Sequence, residues 1–163
     1  MKADAPVAVR PRQEEWLPIL ELAAHEVFAI VLGSELGTGT EAEAAASSQE
    51  QFTAMVGLAG SLRGVVTFSC GALSANQIAA RMLGSEVDCT EEQVWDAVGE
   101  ICNMIAGNFK NKLIGFDGSC LLSVPAVVTG RAYRFHSLAG GESVQTVLLL
   151  EGAPLVIRLD LHA

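Results

Sequence analysis

The fold prediction is decided by residues 91–113, which read EEQVWDAVGEICNMIAGNFKNKL. Apolar side chains recur there at the spacing of one helix face, so we expect an amphipathic helix. Thr90 and Gln93 are spaced to form a capping box at its start. Gly115 follows as a natural stop. Because the signals at both ends agree with the periodicity, this helix is the best-defined element of the chain.

The outward face of this helix carries a row of polar side chains. Asp96, Glu100 and Asn103 lie on one side, because a helix turns about 100° per residue. With Gly107 and Lys110 they span an arc of roughly 80°. The opposite arc is apolar and comprises Val94, Val98, Ile101, Ile105 and Phe109. An acidic and amide row with a glycine in it predicts a surface that another molecule approaches closely. On this pattern alone, an ordinary solvated face stays open as the alternative.

Two glycines stand inside this helix, and each costs about 1 kcal/mol of helix stability relative to alanine. For Gly99 the favoured explanation is close packing against another helix of the same molecule. Gly107 shares the polar arc, so for Gly107 we expect a functional reason, namely the close approach of a partner.

The rest of the chain alternates between helical and strand-like segments. Helices are predicted at about residues 13–32 and 74–83, the second capped by Ser74 and ended by Gly84. Strand-like runs lie at residues 52–60, 62–70, 120–130, 143–152 and 153–163, with residues 131–137 as a possible extension of the third. Pro125 marks a bend or an edge position in that third run. Because short turns join the runs, we expect a two-layer α+β sandwich, with an antiparallel sheet covered by helices.

We interpret residues 1–163 as a single domain, since the chain is long enough for one real core. Residues 1–12 are expected to form a loose tail. Residues 33–50 are rich in Gly, Ser, Thr, Ala and Glu, which indicates a mobile connection. The apolar run at residues 144–150 is expected at a sheet edge, where it could pair with a second copy to form a homodimer.

Composition limits the classes of function. Half of the residues are hydrophobic, which indicates a folded globular protein. The net charge of -9 argues against binding to nucleic acid or to an anionic membrane, because both require clustered Lys and Arg. No apolar run has the length of a membrane span, and the first residues lack the apolar segment of a signal peptide. We therefore expect a cytoplasmic protein.

The cysteines and histidines do not form a recognisable metal-binding pattern. The four cysteines include no CxxC pair and the three histidines are scattered, so we expect no metal site. Cys70 and Cys120 lie in strand-like runs, and Cys102 flanks the apolar stripe of the long helix. All three are interpreted as packing residues rather than nucleophiles.

Residues 96–108, DAVGEICNMIAGN, resemble the signature of the CheC/CheX/FliY chemotaxis phosphatases. That signature is an Asp or Ser, three residues, a Glu, two residues, an Asn, and a proline further along the chain. Pro125 stands close to the place of that proline. The runs QIAARMLG at residues 77–84 and LLSVPAVVTG at residues 121–130 are also similar to the family. The resemblance covers roughly residues 50–163.

The resemblance implies an α/β sandwich with pseudo-twofold halves. It also implies a phosphatase that removes phosphate from the aspartyl phosphate of a CheY-like response regulator in two-component signalling. CheC-type members usually have two helices with the Glu-x-x-Asn pattern. Here residues 100–103 fit the pattern, and the first helix offers only an incomplete echo with Glu21 and Ala24. That difference favours a CheX-like protein, and CheX-type members tend to be homodimers.

The resemblance also assigns roles to residues of the polar arc. Glu100 is expected to pair with the active-site lysine of the regulator, and Asn103 to orient the attacking water. Asp96 and Gly107 are expected to contact the partner. The Mg²⁺ ion of such a reaction belongs to the receiver domain, so this chain is expected to bring no cofactor of its own. The alternative is a non-catalytic receiver-binding adaptor, or a flagellar-switch-type interaction module that has kept the fold.

Overall fold

The computed structural model describes residues 13–46, 49–113, 120–138 and 141–162. The described residues form four helices and seven strands. The helices are α1 (Gln13–Leu32), α2 (Glu41–Ala45), α3 (Ala72–Leu83) and α4 (Glu91–Lys112). The strands are β1 (Gly37–Thr38), β2 (Gln51–Ala59), β3 (Gly64–Gly71), β4 (Leu121–Leu122), β5 (Ala126–Gly130), β6 (Glu142–Leu150) and β7 (Ala153–Leu161).

All seven strands belong to one sheet, in the order β1-β6-β7-β3-β2-β4, with β5 also paired to β2. Every pairing is antiparallel, as expected for strands that short turns connect. The predicted hairpins are confirmed: β2 pairs with β3, and β6 pairs with β7. The long helices α1, α3 and α4 pack on one face of the sheet, which confirms the two-layer α+β prediction.

The two halves of the chain repeat the same order of elements. The elements that correspond are α1, β1, β2 and β3 in the first half and α4, β5, β6 and β7 in the second. Helix α2 lies between β1 and β2, α3 follows β3, and β4 lies between α4 and β5. β3 and β7 meet in the middle of the sheet. β1 pairs with β6 of the other half, and β5 pairs with β2 of the other half. This exchange of edge strands is the pseudo-twofold arrangement that the family resemblance implied.

The hydrophobic core lies between the three long helices and the sheet. The largest fully buried side chains come from both layers and are Leu20, Phe28, Phe68, Ile78, Ile101, Ile105, Phe109, Leu148, Leu150, Leu155, Ile157 and Leu159. Burying one such side chain contributes about 1.5–3 kcal/mol. α4 packs against α1, α3, β2 and β3, so its apolar stripe holds the core together.

The ends of α4 follow from local chemistry. The hydroxyl of Thr90 accepts a hydrogen bond from the backbone N–H of Gln93, and the side chain of Gln93 accepts one from the N–H of Thr90. The predicted capping box is therefore confirmed. The described helix ends at Lys112, and the predicted stop at Gly115 lies outside the described residues.

Two boundary predictions were wrong. Helix α3 begins at Ala72 with Gly71 as its N-cap, and Ser74 is buried inside the first turn instead of capping it. The cause is tertiary, because the N–H of Ala72 is satisfied by the carbonyl of Glu50 in a neighbouring segment. The suggested extension of the third strand also fails, since β5 ends at Gly130 and residues 131–137 are irregular.

Residues 33–50 contain more structure than their composition indicated. β1 pairs with β6, and the N–H of Gly39 donates to the carbonyl of Val147, which extends that contact. Thr40 caps the short helix α2, and Leu36 is buried in the core. The prediction of a mobile connection is therefore wrong for residues 33–46, because this segment is bound to the sheet. The predicted loose tail, residues 1–12, lies outside the described residues.

β6 is not the open edge strand that the sequence predicted. Its C-terminal part pairs with β1 through Leu148 and Leu149, while β7 covers its other side along the whole length. Because β1 has only two residues, the N-terminal part of β6 extends beyond it. The predicted pairing of this strand with a second copy therefore has less room than expected.

None of the described helices is long and apolar enough to cross a membrane.

An ion pair joins the end of α4 to α1. Lys112 Nζ lies 2.7 Å from Glu26 Oε2, so Lys112 is not merely a solvated partner of the helix dipole. The hydrogen bond from Lys112, followed by one from Asn108, lowers the pKa of Glu26 from its ordinary value of 4.5. A carboxylate whose pKa is lowered by folding stabilises the folded state when the pH is above the pKa it has in the unfolded chain. This stabilisation is lost as the pH falls through its pKa in the folded state.

We therefore expect Lys112→Met to lower the melting temperature at neutral pH, and the difference from the wild type to shrink in acid, below about pH 4.5. Thermal unfolding across pH 2–8 measures it. Lys110→Met is the matched control, because Lys110 also lies in the last turn of α4 but has no ion pair with another described residue. A pH-independent difference, or equal effects of the two variants, would contradict the role of this pair.

Candidate functional site

The predicted site residues form one row along the outer side of α4. Asp96 and Glu100 are exposed, and Asn103 and Gly107 are partly exposed one and two turns further on. We call these four residues the polar face. The other side of the helix is buried and comprises Val94, Ala97, Val98, Gly99, Ile101, Cys102, Ile105, Ala106 and Phe109. The helical geometry therefore brings together all four residues that the sequence singled out.

The polar side chains of this face have no partners within the described part of the chain. The side chains of Asp96, Glu100 and Asn103 make no hydrogen bond or ion pair with another described residue. Asn108 is different, because its Nδ2 donates to the carbonyl of Ala23 at 3.3 Å and to Glu26 Oε2 at 2.8 Å. Asn108 therefore has a structural role, because it joins α4 to α1. The carboxamide of Asn103 is left available to an external molecule.

Packing against the described residues does not require a glycine at position 107. A Cβ atom added at this position would lie 3.7 Å from Leu122 Cδ1, which is an ordinary van der Waals contact. The fold would therefore accept alanine here, although the helix gives up about 1 kcal/mol by having glycine. This result agrees with a functional reason for the glycine, because a missing side chain lets a partner surface come close beside Asn103.

Gly99 has a packing role, but not the predicted one. A Cβ atom there would lie 3.4 Å from Pro125 Cβ and 3.5 Å from Val127 Cγ2. The close neighbour of Gly99 is thus the segment that enters β5, and not another helix. This contact places Pro125 directly beside the turn of α4 that carries Glu100.

A groove runs between α4 and this segment, with a volume of about 560 Å³. Its lining residues are Trp95, Asp96, Gly99, Glu100, Val124, Pro125, Val127 and Thr129. The groove is open and combines two carboxylates with an apolar wall. Val124 is 87% exposed, and Trp95 is 37% exposed at the rim of the groove. Such a wall beside a charged row is typical of a surface that docks another protein.

The chemistry available on this surface is that of carboxylates and an amide. The described residues include no group of three or more His, Cys, Asp or Glu side chains placed to hold a metal ion. The thiols of Cys70 and Cys102 are buried, and loss of solvation raises the pKa of each to about 12. Both are therefore protonated packing groups, as predicted. The polar face can accept hydrogen bonds from a cationic partner and can orient a water molecule.

The incomplete echo in α1 does not make a second site. Glu21 Oε1 accepts a hydrogen bond from Thr146 Oγ1 at 2.7 Å, so this carboxylate is already used inside the molecule. Ala24 stands where the pattern has Asn, and it is fully buried against the core. The pseudo-twofold symmetry of the fold is therefore not matched by a symmetry of functional groups.

Comparisons with known proteins agree with this geometry. Residues 52–148 match the family model described as the chemotaxis phosphatase CheX. The chain is similar to the CheY-P phosphatase CheX of Thermotoga maritima, with 26% identity over 117 residues that cover 71% of this chain and 76% of the relative.

Two solved structures show the same fold. The chemotaxis protein CheX of Vibrio vulnificus has a TM-score of 0.77 and 20% identity, covering 94% of this chain and 100% of that one. A chain from the CheX–CheY–BeF3–Mg²⁺ complex of Borrelia burgdorferi has a TM-score of 0.68 and 21% identity, covering 91% of this chain and 98% of that one.

Proposed function

Because the chain belongs to the CheX family of chemotaxis phosphatases, we propose that it hydrolyses the aspartyl phosphate of a CheY-like receiver domain. The observation that carries this proposal is the carboxamide of Asn103, which stands on an exposed helix face without a hydrogen-bond partner among the described residues, one turn from Glu100. The similar protein of Thermotoga maritima bears the name of such a phosphatase, and a similar Borrelia burgdorferi chain is bound to CheY.

The proposed reaction needs little from this chain beyond positioning. In an aspartyl phosphate the phosphorus is attacked by water, the bond to the aspartyl oxygen breaks, and inorganic phosphate leaves. Catalysis of phosphoryl transfer is mostly alignment and charge stabilisation. A carboxamide has both a donor and an acceptor, so Asn103 can hold a water molecule in line with the leaving oxygen.

Glu100 supplies the charge of the docking surface. It is exposed one turn before Asn103, and a carboxylate there can pair with the active-site lysine of a receiver domain. Asp96 adds a second carboxylate one turn earlier, and Gly107 leaves room for the receiver backbone. The divalent cation is proposed to sit on the receiver domain, as the family resemblance implies. Trp95 and Val124 add apolar contact area along the groove.

The direct test is the release of phosphate from a phosphorylated receiver domain in the presence of Mg²⁺. The full chain at substoichiometric amounts should accelerate release over the spontaneous rate of the receiver, with repeated turnovers. If the chain binds the phosphorylated receiver but leaves its rate of dephosphorylation unchanged, the protein is a non-catalytic receiver-binding module, and the proposed activity is wrong.

Removal of the charge at Glu100 should mainly weaken the complex. Glu100→Gln keeps the shape of the side chain but loses the charge-assisted hydrogen bond, which contributes about 1.5–3 kcal/mol. We expect the Kd for a receiver domain held in its BeF3-activated form to rise about 10-fold or more. The salt dependence of binding should also decrease.

Titration calorimetry at two salt concentrations measures both effects. Glu91→Gln is the matched control, because Glu91 is an exposed glutamate of the same helix that lies outside the polar arc. Equal affinities of the wild type and Glu100→Gln would remove Glu100 from the interface.

The homodimer suggested by the family resemblance stays a prediction. β1 already occupies part of the edge of β6 that was expected to pair with a second copy. A dimer would therefore have to use the part of β6 beyond β1, the opposite edge of the sheet at β4 and β5, or a different surface.

A further inference from the structure

A second cleft lies on the other face of the sheet, the face that α1, α3 and α4 do not cover. Its volume is about 450 Å³, which is within the range of small-molecule sites. The floor is made by side chains of β2, β3, β6 and β7, and the walls by α2 and by the irregular segment after β5. The polar side chains of the lining include Thr53, Thr67, Ser69, Tyr133, Gln145 and Arg158.

Thr67 lines this cleft, and its buried hydroxyl group has no hydrogen-bond partner among the described residues. Thr67 is only 6% exposed. Among the described residues, Thr67 Oγ1 is the one buried side-chain oxygen or nitrogen atom that lacks a hydrogen bond. The neighbouring hydroxyls are all used: Thr53 Oγ1 bonds to Ser69 Oγ at 2.8 Å and also to the hydroxyl of Tyr133. A buried polar group left unpaired destabilises a protein, so it points to an external partner.

Arg158 stands next to Thr67 in the sheet, as its partner in the register of β3 and β7. Asp160 fixes the guanidinium, because Arg158 Nε lies 3.0 and 2.9 Å from its two carboxylate oxygens and Nη2 lies 2.8 Å from Oδ1. The remaining nitrogen, Nη1, has no hydrogen bond to another described residue. A held guanidinium with free N–H groups is a ready binding group for an oxyanion.

The described lining of the cleft contains arginine side chains and no carboxylate, although Asp160 beside it pairs with Arg158. The net charge of the chain is -9, yet the described lining includes two arginines, Arg131 and Arg158, and no Asp or Glu. The other polar groups of the lining are hydroxyls and the amides of glutamines, which can also donate hydrogen bonds. The rings of Tyr133 and Phe135 form an apolar wall beside these donors.

We propose that this cleft binds a small organic molecule that carries a phosphate or carboxylate group, with Thr67 and Arg158 as the groups that hold the oxyanion. The site is separate from the polar face of α4, because the two lie on opposite sides of the sheet. Binding at this cleft does not depend on the phosphatase activity. The ligand would be a regulatory molecule or another molecule that is not the substrate of that reaction.

The test uses the full chain and three probes at low ionic strength: inorganic phosphate, adenosine 5′-monophosphate and citrate. We expect saturable binding of at least one probe with a Kd below about 1 mM, measured by calorimetry. A preference for the monophosphate over inorganic phosphate identifies an organic phosphate, and a preference for citrate identifies a carboxylate. No saturable binding of any probe overturns the proposal.

Two variants locate the binding. Thr67→Val should weaken binding about 10-fold or more, while the melting temperature stays equal or rises, because the unpaired hydroxyl is replaced by a methyl group. Gln145→Glu places a negative charge opposite Arg158 on an exposed strand position and should also weaken binding.

Thr38→Val, at an exposed position of β1, and Asn103→Ala, on the other face, should leave binding unchanged. If Thr67→Val and Gln145→Glu both bind like the wild type, the ligand is held elsewhere and the proposal is wrong. Asn103→Ala removes only the proposed catalytic group. Loss of phosphatase activity in this variant therefore tests the phosphatase proposal, while binding of the probes tests the cleft, so the two proposals can fail separately.

Discussion

Asn103→Ala is expected to reduce the accelerated dephosphorylation of a receiver domain by at least roughly 100-fold, to near the spontaneous rate of the receiver. The reason is that the alanine side chain can neither donate nor accept a hydrogen bond, so the attacking water is no longer held in line, and loss of alignment has effects of this size. Affinity for the receiver should change little, since Glu100 and the groove beside Pro125 are intact. Single-turnover phosphate release measures the first quantity and calorimetry the second.

The control for this substitution is Asn76→Ala. Asn76 is an exposed asparagine of α3 whose side chain donates only to the backbone carbonyl of Ala72. It therefore removes the same chemical group at a position away from the polar face, and we expect full activity. Equal turnover of the wild type and Asn103→Ala would show that the carboxamide does not position the water, and the proposed mechanism would fall.

Gly64→Ala is expected to have the largest effect on stability. A Cβ atom at Gly64 would lie 2.2 Å from the backbone oxygen of Asp160 and 3.1 Å from its carbonyl carbon. The clash is with main chain where the first residue of β3 pairs with the last residue of β7, so rotation of a side chain cannot relieve it. We expect a loss of about 3 kcal/mol or more, in the upper range for overpacking. For a domain of this size that lowers the melting temperature by roughly 6–12 °C.

Gly37→Ala is the matched control in the same sheet. Its Cβ atom would lie 3.5 Å from Leu149 Cβ, which is an ordinary contact, so we expect a change within about 1 kcal/mol. Chemical denaturation of both variants measures the difference. If Gly64→Ala unfolds at the same denaturant concentration as Gly37→Ala, the close approach of β3 and β7 at this position is wrong.

The features that the sequence predicted well depend on residues that are near each other in the chain. The capping box of Thr90 and Gln93 is complete within four residues, and the polar face follows from the pitch of one helix. The hairpins β2–β3 and β6–β7 are joined by short turns, so pairing and direction were fixed locally. These features could be predicted because they depend on interactions between residues close in sequence and not on contacts with distant segments.

The features that the sequence did not predict depend on distant partners. Ser74 has the residue type of an N-cap, but Glu50 supplies the acceptor that moves the helix start to Ala72. The second wall of the candidate site was missed for the same reason, because nothing near Val124 in the chain shows that it faces Trp95. Gly99 carried the only local signal of this contact, and it was assigned to a neighbouring helix instead of to Pro125.

The exchange of edge strands between the two halves has a consequence for biosynthesis. Thr38 of β1 has its partner at Leu148, about 110 positions later in the chain. At typical translation rates the ribosome needs on the order of 5–20 seconds to make the intervening residues. During that time the N-terminal half exposes the apolar side of α1 and an unfilled sheet edge. We therefore expect neither half to be stable by itself, because a chain cut between them would lose an edge strand from each half.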